Sequence, residues 1–414
     1  MSPHMLRTLV IPVFFLLTST SVWSGRYAVF DSKTKSVYEF CPGNTICTPE
    51  VAPNMEKTES FQTLSEDLLP LAVIDMEEAQ DKPQKVSAQI IEAMETVGFM
   101  YIKNIPDYNE DSLFNLTKWF FNLPVDVKRQ VTRHVWNKAN NNIIYRGFFP
   151  VIPEWTSYKE GFEIGGFNNI TKRNKVRTVR DTLYEGNVWP NSSDPVASTN
   201  FRISMETFFG VYHRLSLDVL RLVELGLGLK KSHLTSMFES NPLSTLRLIH
   251  YPPRPLQHTP KSATDGNVVL QCDKHADSGF FTFLSTFHYS GLQIQGSNNN
   301  WINIPPLKNA LIVNIGLNIA KLTEGRFKPT IHRVIDLGIS RYSVPFFLEP
   351  HFDADMSNSL FGTPVEGTAK NLKYGMWLIN NTAQYAENAH TDWGIPEEEL
   401  ASDYQTNSHV YDEL

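Results

Sequence analysis

Cysteine is scarce: Cys41, Cys47 and Cys272 are the only three in 414 residues. That is too few for a disulfide framework or for a metal cluster built of thiolates alone, so any metal chemistry falls to histidine and carboxylate side chains. Positive charge is short as well. Thirty-seven Lys and Arg face 44 Asp and Glu, a formal net charge of −7, and no basic stripe offers the counterion release that a polyanion needs, which excludes nucleic acid as a partner. Beyond the N-terminus no apolar run approaches the roughly 18 residues of a membrane span, so no membrane association is expected once a leader is removed. Internal repeats and low-complexity tracts are also missing. What remains is an ordinary globular composition, 41% hydrophobic and 20% charged, rich enough in apolar side chains to bury a sizeable core.

The two ends carry addresses. Residues 1–24 combine Arg7, the apolar stretch Leu9 to Leu17 and small or hydroxyl residues up to Ser24, the layout of a secretory signal peptide. The chain stops at Tyr411-Asp412-Glu413-Leu414, one position away from the Lys-Asp-Glu-Leu retention address. Together they predict the lumen of the endoplasmic reticulum, with secretion as the alternative. In that compartment Asn115, Asn169, Asn191 and Asn380, each in an Asn-x-Ser/Thr triplet, are glycosylation candidates. Cys41 and Cys47 could close a short loop there, leaving Cys272 unpaired.

Residues 25–67 read as an irregular lead-in. Residues 68–240 read as a mixed α/β N-terminal domain: a strand at Leu71 to Asp75, helices through Val86–Val97 and Leu113–Phe121, a loop-like stretch from 165 to 200, and a long helix carrying Phe201, Met205, Phe208, Tyr212, Leu215 and Val219 to an end near Gly226. Residues 241–350 change texture to short β-rich runs separated by Gly, Asn and Pro: 245–251, 268–272, 280–286, 292–295, 310–314, 330–335 and 341–348. Such spacing predicts a sandwich or jelly roll, an α+β order overall. Residues 351–414 form a C-terminal extension.

Three His-x-Asp triplets occur, at His275-Asp277, His351-Asp353 and His390-Asp392. Chance alone supplies about one such triplet, so context must select. Only the first has strand-like flanks on both sides, and on a strand residues two apart share a face, so His275 and Asp277 would converge. His332, inside the run 330–335, is the candidate third ligand. Two imidazoles and a carboxylate suit a non-haem iron(II) centre with open positions, although zinc could use the same set. Arg341 and Ser343, again two apart on a strand, favour iron: a guanidinium fork and a hydroxyl form an anchor for a carboxylate-bearing co-substrate. The aromatic residues Tyr145, Phe148, Phe149, Phe162, Phe280 and Phe347 are candidates for the core or for a pocket wall.

At these residues the chain resembles the isopenicillin N synthase-like group of iron(II)/2-oxoglutarate-dependent oxygenases. The likeness rests on Arg247-Leu248-Ile249-His250-Tyr251-Pro252-Pro253, His275-x-Asp277, Gly291-Leu292-Gln293, Asn314-Ile315-Gly316, His332-Arg333-Val334 and Arg341-Tyr342-Ser343-x-Pro345-Phe346-Phe347, with Val97-Gly98-Phe99 and Leu123-Pro124 upstream, all in the family's order. It implies a distorted double-stranded β-helix (jelly roll) with supporting helices and an N-terminal mixed α/β cap, holding Fe(2+) through His275, Asp277 and His332. It further implies 2-oxoglutarate bound through Arg341, Ser343 and Tyr251, O2 as oxidant, ascorbate as reductant, and oxidation of a small-molecule substrate, by hydroxylation in the main reading, with release of succinate and CO2. Three positions depart from the family: Ile249 stands where many members have Asn, Ala276 where Thr is usual, and Leu317 where an Asp often follows Asn-Ile-Gly. None is a metal ligand, but the first removes one expected co-substrate contact. Two alternatives remain at this point, an iron oxidase of the same family that needs no 2-oxoglutarate and a catalytically idle carboxylate-binding jelly roll.

Overall fold

A computed structural model describes residues 27–31, 36–40, 69–140, 143–166, 178–255 and 259–383, and beyond them 385, 388, 391–393 and 395. The leader, Cys41, Cys47, Asn169, His390 and the C-terminal tetrapeptide lie outside the described residues. Within the stretch expected to be irregular, β1 (Tyr27–Asp31) and β2 (Ser36–Phe40) pair as an antiparallel hairpin. Both segments are rich in Val, Phe and Tyr, which favour extended backbone, a signal too short to stand out beside the flanking prolines.

The N-terminal part then runs β3 (Val73–Asp75), α1 (Pro83–Thr96), β4 (Phe99–Lys103), α2 (Glu110–Phe121), β5 (Gly147–Phe149), β6 (Glu160–Gly165) and α3 (Pro195–Leu227). The loop expected from 165 to 200 is therefore too long. Pro195 opens α3 rather than interrupting it: proline is tolerated at the first helical position, and the Asp194 side chain caps that turn by accepting from the backbone N–H groups of Val196 and Ala197, each at 3.0 Å. At the other end α3 packs on α1 through Gly226. A methyl group there would sit 2.4 Å from Ile91 Cγ1, and beside it the Ser87 hydroxyl donates to the Leu222 carbonyl at 2.6 Å.

The C-terminal part contributes β7 (Thr245–Tyr251), β8 (Thr264–Asp265), β9 (Val268–His275), β10 (Phe281–Ser285), β11 (Leu292–Gln295), β12 (Trp301–Asn303), β13 (Leu311–Ile315), α4 (Leu317–Leu322), β14 (His332–Ile335), β15 (Arg341–Leu348) and α5 (Tyr374–Thr382). They form two sheets, an eight-stranded one in the order β3-β4-β13-β10-β15-β7-β6-β5 and a five-stranded one in the order β12-β11-β14-β9-β8. This is the distorted double-stranded β-helix of an α+β chain.

Side chains alternate across each strand, so the larger sheet has two different faces. Tyr342, Val344, Phe346 and Leu348 of β15 pack toward the helices; Phe346 lies 5.2 Å from Phe209 and 5.5 Å from Tyr212, and Phe120 of α2 stacks on Phe162 at 4.3 Å. Each such ring contributes about 1.5–3 kcal/mol through burial. Arg341, Ser343, Pro345 and Phe347 occupy the opposite face. The helices thus fix one side of the sheet and leave the other free to carry chemistry.

Candidate active site

His275 ends β9 and His332 begins β14, and the two are direct partners in the antiparallel register. Their ring centroids lie 4.3 Å apart. Asp277 completes the cluster from the loop that follows β9: its Oδ1 is 3.5 Å from His275 Nε2 and 3.6 Å from His332 Nε2. One donor atom from each of the three lies within 4.8 Å of the others. The expectation that His275 and Asp277 converge by strand alternation needs correction, since β9 stops at His275 and Asp277 has no strand partner. What brings it inward is the backbone of the loop, whose carbonyls at Asp277 and Gly279 accept from Leu317 and Asn318 at the start of α4, at 2.8 and 3.1 Å.

The outer atoms of all three side chains are already engaged. His275 Nδ1 lies 2.8 Å from the Asp273 carbonyl and His332 Nδ1 lies 3.1 Å from the Thr330 carbonyl, which leaves both Nε2 atoms directed at the cluster. Asp277 Oδ2 accepts from Thr282 Oγ1 at 2.5 Å and Asn314 Nδ2 at 2.7 Å, leaving Oδ1 free. Thr282 and Asn314 are cross-strand partners on β10 and β13. Two ligand candidates therefore come from the smaller sheet, and the residues that orient the third come from the larger one. Neutral imidazole nitrogens and a carboxylate oxygen, each oriented by an outer hydrogen bond, form a donor set that fits iron(II).

Electrostatics keep the three groups in different states. Burial works against the Asp277 carboxylate, but His332, His275 and the Asn314 hydrogen bond outweigh it and hold Asp277 far below the usual carboxylate range. Burial and the neighbouring His275 lower His332 to about 4. For His275 burial also opposes the charge, yet Cys272 and Asp277 raise it well above its ordinary value.

The predicted anchor lies on the same inner face. Arg341 is 1% exposed and pairs across the sheet with Tyr251, its guanidinium carbon 4.8 Å from the ring centroid. Its Nε donates to the Ser290 carbonyl at 3.0 Å, while Nη1 is buried without a hydrogen-bond partner. A buried guanidinium nitrogen left unpaired is costly unless an anion meets it, so the site fits a carboxylate. Ser343, two residues on and 2% exposed, faces the same side, with Ile249 as its cross-strand partner. Ile249 thus supplies apolar wall at the position where an amide side chain is usual in the family. A thiolate at Cys272 favours the charged forms of both His275 and Arg341.

Among the described residues, the His351-Asp353 pair does not join this cluster. His351 forms a backbone bridge with Pro242, and Asp353 pairs with Arg180 at 2.6 Å on the surface. Thr282, Asn314 and Glu349 carry no role that sequence alone assigns. Asn314 sits in a motif quoted above, but its role depends on sheet register, which a lone sequence does not display.

Comparison with known proteins agrees with this geometry. Residues 242–350 match the 2OG-Fe(II) oxygenase superfamily, and residues 71–192 match the N-terminal region of non-haem dioxygenases described from morphine synthesis. The chain is 31% identical over 285 residues to the 2-oxoglutarate-dependent dioxygenase citB of Monascus ruber, covering 66% of this chain and 81% of that protein. The chain belongs to the 2OG-Fe(II) oxygenase superfamily. Clavatol oxidase claD of Penicillium crustosum is 28% identical over 312 residues, covering 68% of this chain and 86% of its own. Among solved structures, a full-length Neurospora crassa protein in complex with alpha-KG superposes with a TM-score of 0.63 at 24% identity, covering 78% of this chain and 98% of that one. At that identity the likeness speaks for the fold. The family uses Fe(2+), 2-oxoglutarate and O2, and the protein is an oxidoreductase of this type acting on a small organic substrate.

Proposed function

We propose that His275, Asp277 and His332 hold the iron, that Arg341, Ser343 and Tyr251 hold the distal carboxylate of 2-oxoglutarate, and that the reaction is hydroxylation of the prime substrate. The observation that carries this reading is the coincidence of three converging donor atoms with an unpaired guanidinium nitrogen on one inner face. When bound, iron and 2-oxoglutarate supply the oxidation: the co-substrate loses CO2 to become succinate, one oxygen atom of O2 entering succinate and the other the substrate.

The protein's own residues orient and exclude. The cross-strand pairing of His275 and His332 fixes the spacing of two donors; Thr282 and Asn314 hold Asp277 so that only Oδ1 turns toward the metal. Arg341 aligns the co-substrate through a charge-assisted contact, with the Tyr251 ring limiting its movement. The test is succinate formation with iron(II), ascorbate and 2-oxoglutarate in wild type and in Asp277→Ala. Metal-independent turnover, or equal turnover in the variant, rejects the assignment.

We also propose a lumenal setting in the endoplasmic reticulum. The leader-like residues 1–24 and the final Tyr-Asp-Glu-Leu support it, as do the exposed Asn115 and Asn191, which are accessible glycosylation candidates. A fluorescent protein inserted within the chain, both ends left free, should give reticular lumenal signal; a cytosolic signal rejects the setting.

A further inference from the structure

Beyond the metal and the carboxylate anchor, one inner-face residue has no assigned task. The row that begins with Arg341 and Ser343 continues through Pro345 and Phe347 to Glu349, one residue past the end of β15. Glu349 is 8% exposed. Its backbone is fixed on both sides by Ser244, whose hydroxyl accepts from the Glu349 N–H at 3.1 Å and donates to its carbonyl at 3.2 Å. The side chain, by contrast, makes no hydrogen bond or ion pair among the described residues, and Oε2 is wholly buried without a partner.

The carboxyl is aimed at the metal loop. A methyl group on Gly279, two residues after Asp277, would come 2.7 Å from Glu349 Oε1, so only a glycine there leaves the carboxyl its place. Glu349 and Asp277 are near enough for the charge of one to act on the other. Arg146 also acts on it electrostatically but spends Nη1 on Thr245 Oγ1 at 2.5 Å. Arg146 forms no ion pair with Glu349, and its own Nε is buried and unpartnered. Phe347 precedes Glu349 in the inward row and, with Phe149, packs on the Arg247 guanidinium, giving this end of the site an aromatic wall.

A carboxyl group enclosed without a partner costs free energy until a donor reaches it. The carboxyl keeps an acceptor oxygen in either protonation state, so the group that completes it is a hydrogen-bond donor, and the Asp277 charge that acts there disfavours a ligand with negative charge. Nitrogen answers this best: an ammonium adds charge to the contact, and a carboxamide brings an obligatory N–H donor. We propose that Glu349 forms a substrate subsite beside the metal that accepts an N–H group, an amine or a carboxamide, of the prime substrate. Arg341 and Glu349 then divide the inner face, the cation taking the acid co-substrate at one end and the carboxyl taking the nitrogen-bearing substrate at the other. This subsite rests on the iron and 2-oxoglutarate reading given above.

The experiment is anaerobic binding to the full chain loaded with iron(II) and 2-oxoglutarate, read by ligand-observed NMR with benzylamine, benzamide, benzyl alcohol and benzoate as probes. Benzylamine or benzamide should bind at least tenfold more tightly than benzyl alcohol and benzoate. Glu349→Leu should erase that preference; Glu349→Gln, which keeps the shape and an acceptor, should retain benzamide and lose benzylamine about tenfold. Equal or undetectable binding of all four probes, tighter binding of benzoate or benzyl alcohol, or a preference that survives in Glu349→Leu overturns the subsite. Iron and 2-oxoglutarate loading is measured in the same samples by equilibrium dialysis. Failure of wild type to load overturns the underlying reading and the subsite with it, whereas normal loading with no nitrogen preference overturns the subsite alone.

Discussion

His275 and His332 face one another as opposed residues of two antiparallel strands, their ring centroids 4.3 Å apart. Fifty-odd residues of chain separate them, yet the sheet sets their spacing as firmly as a single turn of helix would. Asp277 is held differently, by hydrogen bonds from the facing sheet. The centre therefore depends on both sheets keeping their register, and damage to either should appear as lost metal before it appears as lost fold.

The first prediction follows from the clamp on Asp277. Thr282→Val and Asn314→Ala each remove one donor to Asp277 Oδ2 while leaving all three ligand candidates in the chain. Each should weaken iron(II) binding by about 10–100-fold, the usual cost of losing an outer-shell partner. Anaerobic iron titration checks this, and unchanged affinity in both variants would reject the positioning role.

Arg341 should affect co-substrate and metal separately. Arg341→Leu removes a charge-assisted pair of the kind that contributes about 1.5–3 kcal/mol per hydrogen bond, so the KM for 2-oxoglutarate should rise by about 10-fold or more. Iron affinity should stay within about twofold, because Arg341 is not among the three converging donors. Arg341→Lys should recover only part of the loss, since an ammonium lacks the planar fork.

Glu349 should make stability depend on pH. Burial first, and the Asp277 charge second, raise its carboxyl well above the ordinary value. Between the ordinary and the raised value the folded chain holds a proton that the unfolded chain has released, so stability falls as pH rises through that window. Glu349→Gln keeps a polar group in the same place but removes the ionisation, and with it the part of the penalty that grows with pH. In metal-free protein the variant's gain in Tm over wild type should be larger at about pH 8 than at about pH 5. A gain independent of pH would contradict the assignment.

A structural prediction concerns the contact between α1 and α3. Gly226→Ala puts a methyl group 2.4 Å from Ile91 Cγ1 and 2.6 Å from Ser87 Oγ. Overpacking of this kind costs about 1–3 kcal/mol, against a helix-propensity gain of about 1 kcal/mol. Denaturant melts should show a lower midpoint, with iron binding unchanged.

Much of this is legible in the sequence because strand signals and motif residues are local. The runs at 245–251, 292–295 and 341–348 appear as strands with those bounds, and His275, Asp277, His332 and Arg341 stand out by residue type and order. The start of α3 escapes such a reading because proline looks like a breaker unless its cap at Asp194 is seen with it. The β1–β2 hairpin is too short to register. Thr282, Asn314 and Glu349 are hidden for another reason: each gains meaning from what lies across a sheet or beyond a loop, and no periodicity within its own segment marks it. Asp277 shows the same limit, since its placement comes from α4 and not from strand alternation.

The most direct measurement is a crystal of the iron-loaded protein with the metal located by anomalous scattering. The account predicts one iron peak about 2.0–2.2 Å from His275 Nε2, Asp277 Oδ1 and His332 Nε2, the bond lengths typical of imidazole and carboxylate ligation. An iron peak elsewhere, or one that persists at the same site in Asp277→Ala with undiminished occupancy, would contradict it.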